Sequence, residues 1–209
     1  MSGLREQQKE QRRSAILRAA ARLFAKRGYA DTGMQEIAER AGLAVGTLYN
    51  YFPSKPEIVL ALVERDVASS LAAGEAIVKR PPRDPVAAVA KLLDLDFAPL
   101  ARHDRELWRE LVCAALGDPE IGASFFASDL RLVGQLSALL AELQSRGDLR
   151  AELEPGRAAV TLYGVFFTWF MATVTSDAIS IDTARQEVRL GAGLVMQGLL
   201  VRAPGRRRR

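Results

Sequence analysis

Apolar residues recur along this chain with the period of a helix, and no run of strict alternation interrupts them. Ile16, Ala20, Leu23 and Phe24 fall at i, i+4, i+7 and i+8 and make one apolar face, which Gly28 stops. A second helix opens at Gly33, with Glu36 placed as the reciprocal half of a capping box. It turns Ile37, Ala38 and Ala41 inward and ends at Gly42. The turn Gly42-Leu43-Ala44 is too short for anything but two helices meeting at a steep angle. From Val45 the chain is helical again, and Pro53 breaks it. At 100° per residue Ala44, Leu48 and Phe52 share the inner face of this third helix, Gly46 and Asn50 point the opposite way, and Thr47 and Tyr49 flank them.

Ser54 and Glu57 form a second capping signal, with Pro56 tolerable in a first turn, and a long helix runs from about Lys55 to Lys79. Further helices are expected near 85–100, 104–116, 120–146, 156–176 and 182–202, separated by Gly-, Pro- and Asp-containing breaks. The expected fold is all-α.

Charge divides the chain unevenly. Residues 1–55 carry ten Lys or Arg against five Asp or Glu, whereas residues 56–205 carry fifteen against twenty, and Arg206 to Arg209 follow. A basic amino-terminal quarter on a mildly acidic body suits contact with a polyanion. Half the residues are apolar, enough for a sizeable core. The single cysteine, Cys113, excludes a disulfide framework and reads as a small buried hydrophobe in a reducing cytosol. The opening MSGLREQQKEQRRS has no apolar core of the signal-peptide kind, so export is not expected and a cytoplasmic location is.

A short helix that presents Gly, Thr, Tyr and Asn outward, braced by two others, fits docking into a major groove. Gly46 permits close approach, Thr47 and Asn50 can meet base edges or phosphate, and the tyrosine hydroxyl of Tyr49 suits phosphate. The amides at the start of the Met34 helix and Lys55 can clamp the backbone on either side. A three-helix bundle whose third helix is merely uncharged would carry the same pattern.

The segment FAKRGYADTGMQEIAERAGLAVGTLYNYFPSKPEIVLALVE goes beyond pattern. It closely resembles the amino-terminal DNA-binding domain of the TetR family of transcriptional regulators. The likeness covers about residues 12–64, and its most specific part runs from Ile37 to Lys55. The resemblance implies a three-helix helix-turn-helix domain over residues 10–55, with the motif at about 33–52. A larger helical ligand-binding and dimerisation domain would follow over 56–203, and a basic tail over 204–209. It also implies contacts to operator DNA from Gly33, Met34, Gln35, Ala44, Val45, Gly46, Thr47, Tyr49, Asn50 and Lys55. Gly33, Ala44, Val45 and Asn50 stand where family members often carry Thr or Ser, Ser, Lys or Arg, and His. The third helix also lacks the arginine that grips guanine bidentately. The arm of Arg5, Lys9, Arg12 and Arg13 is therefore expected to supply much of the affinity.

Beyond residue 64 the likeness is architectural. Tyr163, Phe166, Phe167, Trp169 and Phe170 crowd five aromatics into eight positions. Such a stripe is more often plain core, and the resemblance turns it toward a hydrophobic effector cavity lined by Phe97, Trp108, Phe126, Tyr163, Phe167 and Trp169. His103 reads as a surface or capping residue. Residues 158–176 hold no charge and are long enough to span a bilayer, but four threonines argue against that. With the apolar face of Leu190, Leu194, Val195 and Gly198 they resemble the halves of an intermolecular four-helix bundle, and so a homodimer without a membrane.

No catalytic or metal-binding spacing accompanies His103 or Cys113, so neither an enzyme, a metal nor a cofactor is expected. The sequence thus points to a one-component repressor, released from a near-palindromic operator by a small apolar or amphipathic effector. A carrier protein that has kept the motif without regulating is the other reading.

Overall fold

The computed structural model describes residues 2–201, so the expected basic tail lies outside the described residues. Among these residues there are ten helices and no strand. They are α1 (Ser2–Arg27), α2 (Met34–Ala41), α3 (Val45–Tyr49), α4 (Lys55–Lys79), α5 (Pro85–Leu95), α6 (Phe97–Arg102), α7 (Arg105–Gly117), α8 (Pro119–Ser145), α9 (Pro155–Thr175) and α10 (Ile181–Leu199). Two compact units share the chain. Residues up to Asp66 join Leu100–Phe126 in the first, and Val67–Pro99 joins the residues from Ala127 onward in the second.

In the first unit the stripe of Ile16, Ala20, Leu23 and Phe24 closes over Ile37, Leu48 and Phe52. Glu36 does not complete a capping box, because its carboxylate is drawn into an ion pair with Arg27. Ser54 does reach Glu57, at 3.2 Å. Two residues depart from expectation here. Cys113 is exposed rather than buried, since the inward face of α7 carries Leu107, Trp108 and Leu111, and a residue two further on points away. His103 is half-buried rather than fully exposed: its Nε2 lies 2.9 Å from Asp66, whose other oxygen accepts from Arg102 at 3.1 Å.

In the second unit α10 packs on α9 and α5. The approach of α9 and α10 is close, for a Cβ on Gly191 would stand 2.7 Å from Val165. The helix expected over 85–100 is two helices broken at Asp96. Pro99 explains the break. A continuous helix would need an amide at position 99 to bond the Leu95 carbonyl, and proline has none. The buried Ser70 hydroxyl bonds that carbonyl instead, at 3.0 Å.

By length and composition α9 alone among the described helices could cross a bilayer. Its threonines do not argue otherwise, because Thr161, Thr168, Thr173 and Thr175 each bond the carbonyl four residues back. Its inner face does: Leu162, Phe166, Phe170 and Val174 are buried within the unit, as in a core helix.

Candidate functional site

The turn between α2 and α3 follows from one glycine. Gly42 ends α2 with φ +72°, a left-handed conformation that a side chain resists. Its amide bonds the Glu39 carbonyl at 3.1 Å, and the Leu43 amide bonds Ala38 at 2.9 Å, the paired bonds of a Schellman motif. Ala44 is then extended, with ψ 144°, and its carbonyl accepts from Thr47 and Leu48 to begin α3.

Leu48 (0% exposed) and Phe52 fasten the short helix to the core. Tyr49, next along the chain, is 48% exposed. Val45, Gly46 and Asn50 are exposed, and Thr47 is half-buried. Ala44 was expected on the packed face with Leu48, but it is exposed. As the extended residue ahead of the helix it does not follow the helical spacing. At the start of α2, Gly33 and Gln35 are exposed, Met34 is half-buried, and no side chain caps the first amides.

Lys55 is not a free cation. Its ammonium donates to the Tyr29 and Thr32 carbonyls at 2.7 and 3.0 Å and lies 3.9 Å over the Tyr29 ring. Burial lowers its pKa, with Glu110, Glu106 and Asp31 opposing, while burial together with Glu110 pushes the Tyr29 hydroxyl up to about 12. Lys55 thus staples the α1–α2 loop to the start of α4. In the basic arm Arg5, Lys9 and Arg12 are exposed, and the Arg13 guanidinium lies 5.3 Å over Phe52.

The six aromatics expected to line one cavity do not share a unit. Trp108 is buried on α7 and Phe126 is exposed on α8 in the first, and Phe97, Tyr163, Phe167 and Trp169 lie in the second. There Phe97 meets Phe166 edge-on at 5.1 Å, and Tyr163 neighbours Phe166 at 6.3 Å and Phe167 at 5.7 Å. Phe167 (38% exposed) falls on the outer face of α9 with Val160 and Gly164, because these three share one helical face. Leu190, Leu194 and Gly198 are exposed on α10, and Val195 is half-buried.

Two acids escaped the sequence reading. Asp96, at the end of α5, and Asp129, on α8, sit beside the Tyr163 hydroxyl, which donates to Asp129. Burial, then the charge of Asp129, raises Asp96 to about 7, and burial raises Asp129. The signal was present: Asp96 stands four residues after Leu92, and Asp129 three and seven before Leu132 and Leu136, each an acid on an apolar stripe. Among the described residues no group of three acids, histidines or cysteines could hold a metal.

Residues 16–62 match the family profile described as bacterial regulatory proteins, tetR family. The HTH-type transcriptional regulator TtgR of Pseudomonas putida is 28% identical over 204 residues, 90% of this chain and 97% of its own. The HTH-type transcriptional activator FasR of Mycolicibacterium smegmatis is 46% identical over 59 residues, 28% of this chain and 27% of its own. Thermus thermophilus FadR, a TetR-family transcriptional repressor solved with lauroyl-CoA, superposes with TM-score 0.71 at 26% identity, over 92% of this chain and 99% of that one. Residues 16–62 thus match the DNA-binding segment of the TetR family, and over about nine-tenths of its length the chain is similar to helix-turn-helix transcriptional regulators.

Proposed function

We propose that this protein is a cytoplasmic, homodimeric repressor that binds a near-palindromic operator and leaves it when a small apolar or amphipathic effector enters the second unit. The observation that carries the reading is α3, which buries Leu48 and turns Val45, Gly46, Tyr49 and Asn50 to the outside. Such a helix can enter a major groove, one per half-site. The amides of Met34 and Gln35 would meet phosphate, as would Arg5, Lys9 and Arg12, while Ala44 and Thr47 would border the contact. Lys55 would act by fixing the loop beneath the helix rather than by reaching the DNA.

Residues 55–66 of α4 belong to the first unit and 67–79 to the second, so one continuous helix joins the DNA-reading element to the proposed effector site. A ligand that favours one tilt of α4 would weaken DNA binding about 5- to 150-fold, and DNA would weaken the ligand equally. FadR is a repressor with a bound acyl thioester, and FasR an activator. The paired apolar faces of α9 and α10 support assembly as a dimer.

An uncharged α3 and an engaged Lys55 favour the carrier reading to a degree. Titrating labelled DNA from upstream of the protein's own gene, at rising salt, separates the two. A regulator binds with an affinity that falls steeply with salt and drops further in Tyr49→Ala. Binding absent at low salt would leave the carrier.

A further inference from the structure

The first unit holds more than the three helices of the motif. Residues Leu100–Phe126 belong to it, and α7 lies wholly within them. The approach to α7 is tied to α4, because Arg102 and His103 both meet the Asp66 carboxylate, at 3.1 and 2.9 Å. Leu107, Trp108 and Leu111 then bury one face of the helix. Glu106 and Glu110, one turn apart, share another. That face is turned to the α1–α2 loop, for a Cβ on Gly28 would stand 3.6 Å from the Glu106 Oε2. The loop's Tyr29 ring lies 3.9 Å beneath the Lys55 ammonium. Two acids of a helix outside the motif thus border the loop that Lys55 holds.

Lys55 gains from them because of where it sits. Its side chain is half-buried and its hydrogen bonds run to two neutral groups, the Tyr29 and Thr32 carbonyls. Carbonyls satisfy the donors without balancing the charge, whereas nearby carboxylates balance it. Burial disfavours the charged ammonium, and Glu110, Glu106 and the loop's own Asp31 oppose that effect. The held loop passes through Gly33 straight to the Met34 and Gln35 amides that are proposed to meet phosphate. Resting on that proposed DNA contact, we infer that Glu106 and Glu110 are positioning residues for it. Acting through Lys55, they hold the α1–α2 loop, and with it the start of α2, in the place from which α2 meets the DNA.

The direction of the effect separates this role from plain electrostatics. Glu106 and Glu110 are both exposed. Acids that acted on DNA directly would repel it, so neutralising them would tighten binding. Acids that act through Lys55 do the reverse: neutralising them loosens the loop and weakens binding. The effect then requires Lys55 to be present.

Glu106→Gln and Glu110→Gln are combined in the full-length protein, once with Lys55 in place and once with Lys55→Gln. Labelled upstream DNA is titrated by anisotropy. Separately, without DNA, hydrogen exchange is followed at the Thr32 amide, which bonds the Tyr29 carbonyl at 3.3 Å. With Lys55 in place the two substitutions should weaken DNA binding by about three- to tenfold, speed exchange at Thr32 and leave the urea midpoint at its parental value. With Lys55→Gln they should do neither. Unchanged or tighter DNA binding would overturn the inference, as would an equal loss in both backgrounds. If Lys55→Gln folds poorly, Glu106→Asp with Glu110→Asp replaces it: this pair keeps the charges and should recover most of the lost affinity, and no recovery would overturn the inference. A parent protein that binds no upstream DNA counts against the regulator reading. The exchange at Thr32 then decides alone, since faster exchange in the glutamine variants supports the brace and unchanged exchange removes it.

Discussion

Leu48 and Tyr49 are neighbours on a five-residue helix, and their fates diverge because 100° of rotation separates them. Leu48 is fully buried, so Leu48→Ala should cost about 2–5 kcal/mol in urea unfolding. Tyr49→Ala should leave the unfolding midpoint almost unmoved and weaken operator DNA in an anisotropy titration. The reverse pattern would mean that α3 reads DNA through another face. Asp96 gives a prediction in pH. Its pKa is about 7 in the fold against an ordinary 3.8. Below 3.8 both folded and unfolded chains hold the proton, and nothing is lost. Between 3.8 and about 7 the unfolded chain releases a proton that the fold retains, so this residue's contribution to stability falls as pH rises and stays low above. Asp96→Asn should therefore gain on the parent with rising pH, by a difference on the order of 4 kcal/mol at most. Urea midpoints at pH 4.5 and pH 8 measure it, and an equal difference at both would place the carboxyl in water.

At the scale of elements, what the sequence announced and what it hid have physical causes. The motif was legible because Gly42 and the Ile37–Ala38–Leu48 spacing are local: a left-handed residue between two short stripes leaves one geometry. The break at Asp96 was also local, since Pro99 denies Leu95 its partner, but the helical spacing of Leu92, Leu93, Phe97 and Leu100 read through it. That Ser70 would replace the missing amide was not legible, because the two lie 25 residues apart on different helices. Nor did the sequence reveal that Lys55 would turn inward onto carbonyls 26 and 23 residues behind it. A charge near a DNA-reading helix looks the same on paper whether it faces water or the loop. Ser70→Ala should leave the Leu95 carbonyl unsatisfied in a buried place and destabilise the second unit by about 1–3 kcal/mol. Hydrogen exchange at α5 and α6 locates the loss, and protection unchanged there would mean that water replaces the hydroxyl.

At the scale of the whole molecule, the proposed regulator needs two reading helices at a fixed separation, and its partner surface must therefore be rigid and apolar. The outer faces of α9 and α10 qualify. Val160 is 58% exposed on the first, and Leu190 and Leu194 are 57% and 70% exposed on the second. Exposed leucines one turn apart are costly on an isolated monomer surface and ordinary in the core of a four-helix interface. The close seating of Gly191 on Val165 makes the two helices one stiff plate, which suits an interface that must hold spacing. A second copy would cover this plate with the same plate, as two-fold symmetry requires. Leu194→Glu should be nearly neutral for a monomer, where the carboxylate stays in water. In a dimer it would bury an unpaired charge and its symmetry mate. Light scattering should then report half the parent mass, with helicity by circular dichroism retained. Operator affinity should fall with the mass, because a monomer reads one half-site alone and loses the linked second contact. Gly198→Glu, one turn further along α10, should do the same. A parental mass in both variants would move the interface off this face. Monomers that still bind the operator at parental affinity would instead keep the interface and remove the need for two reading heads.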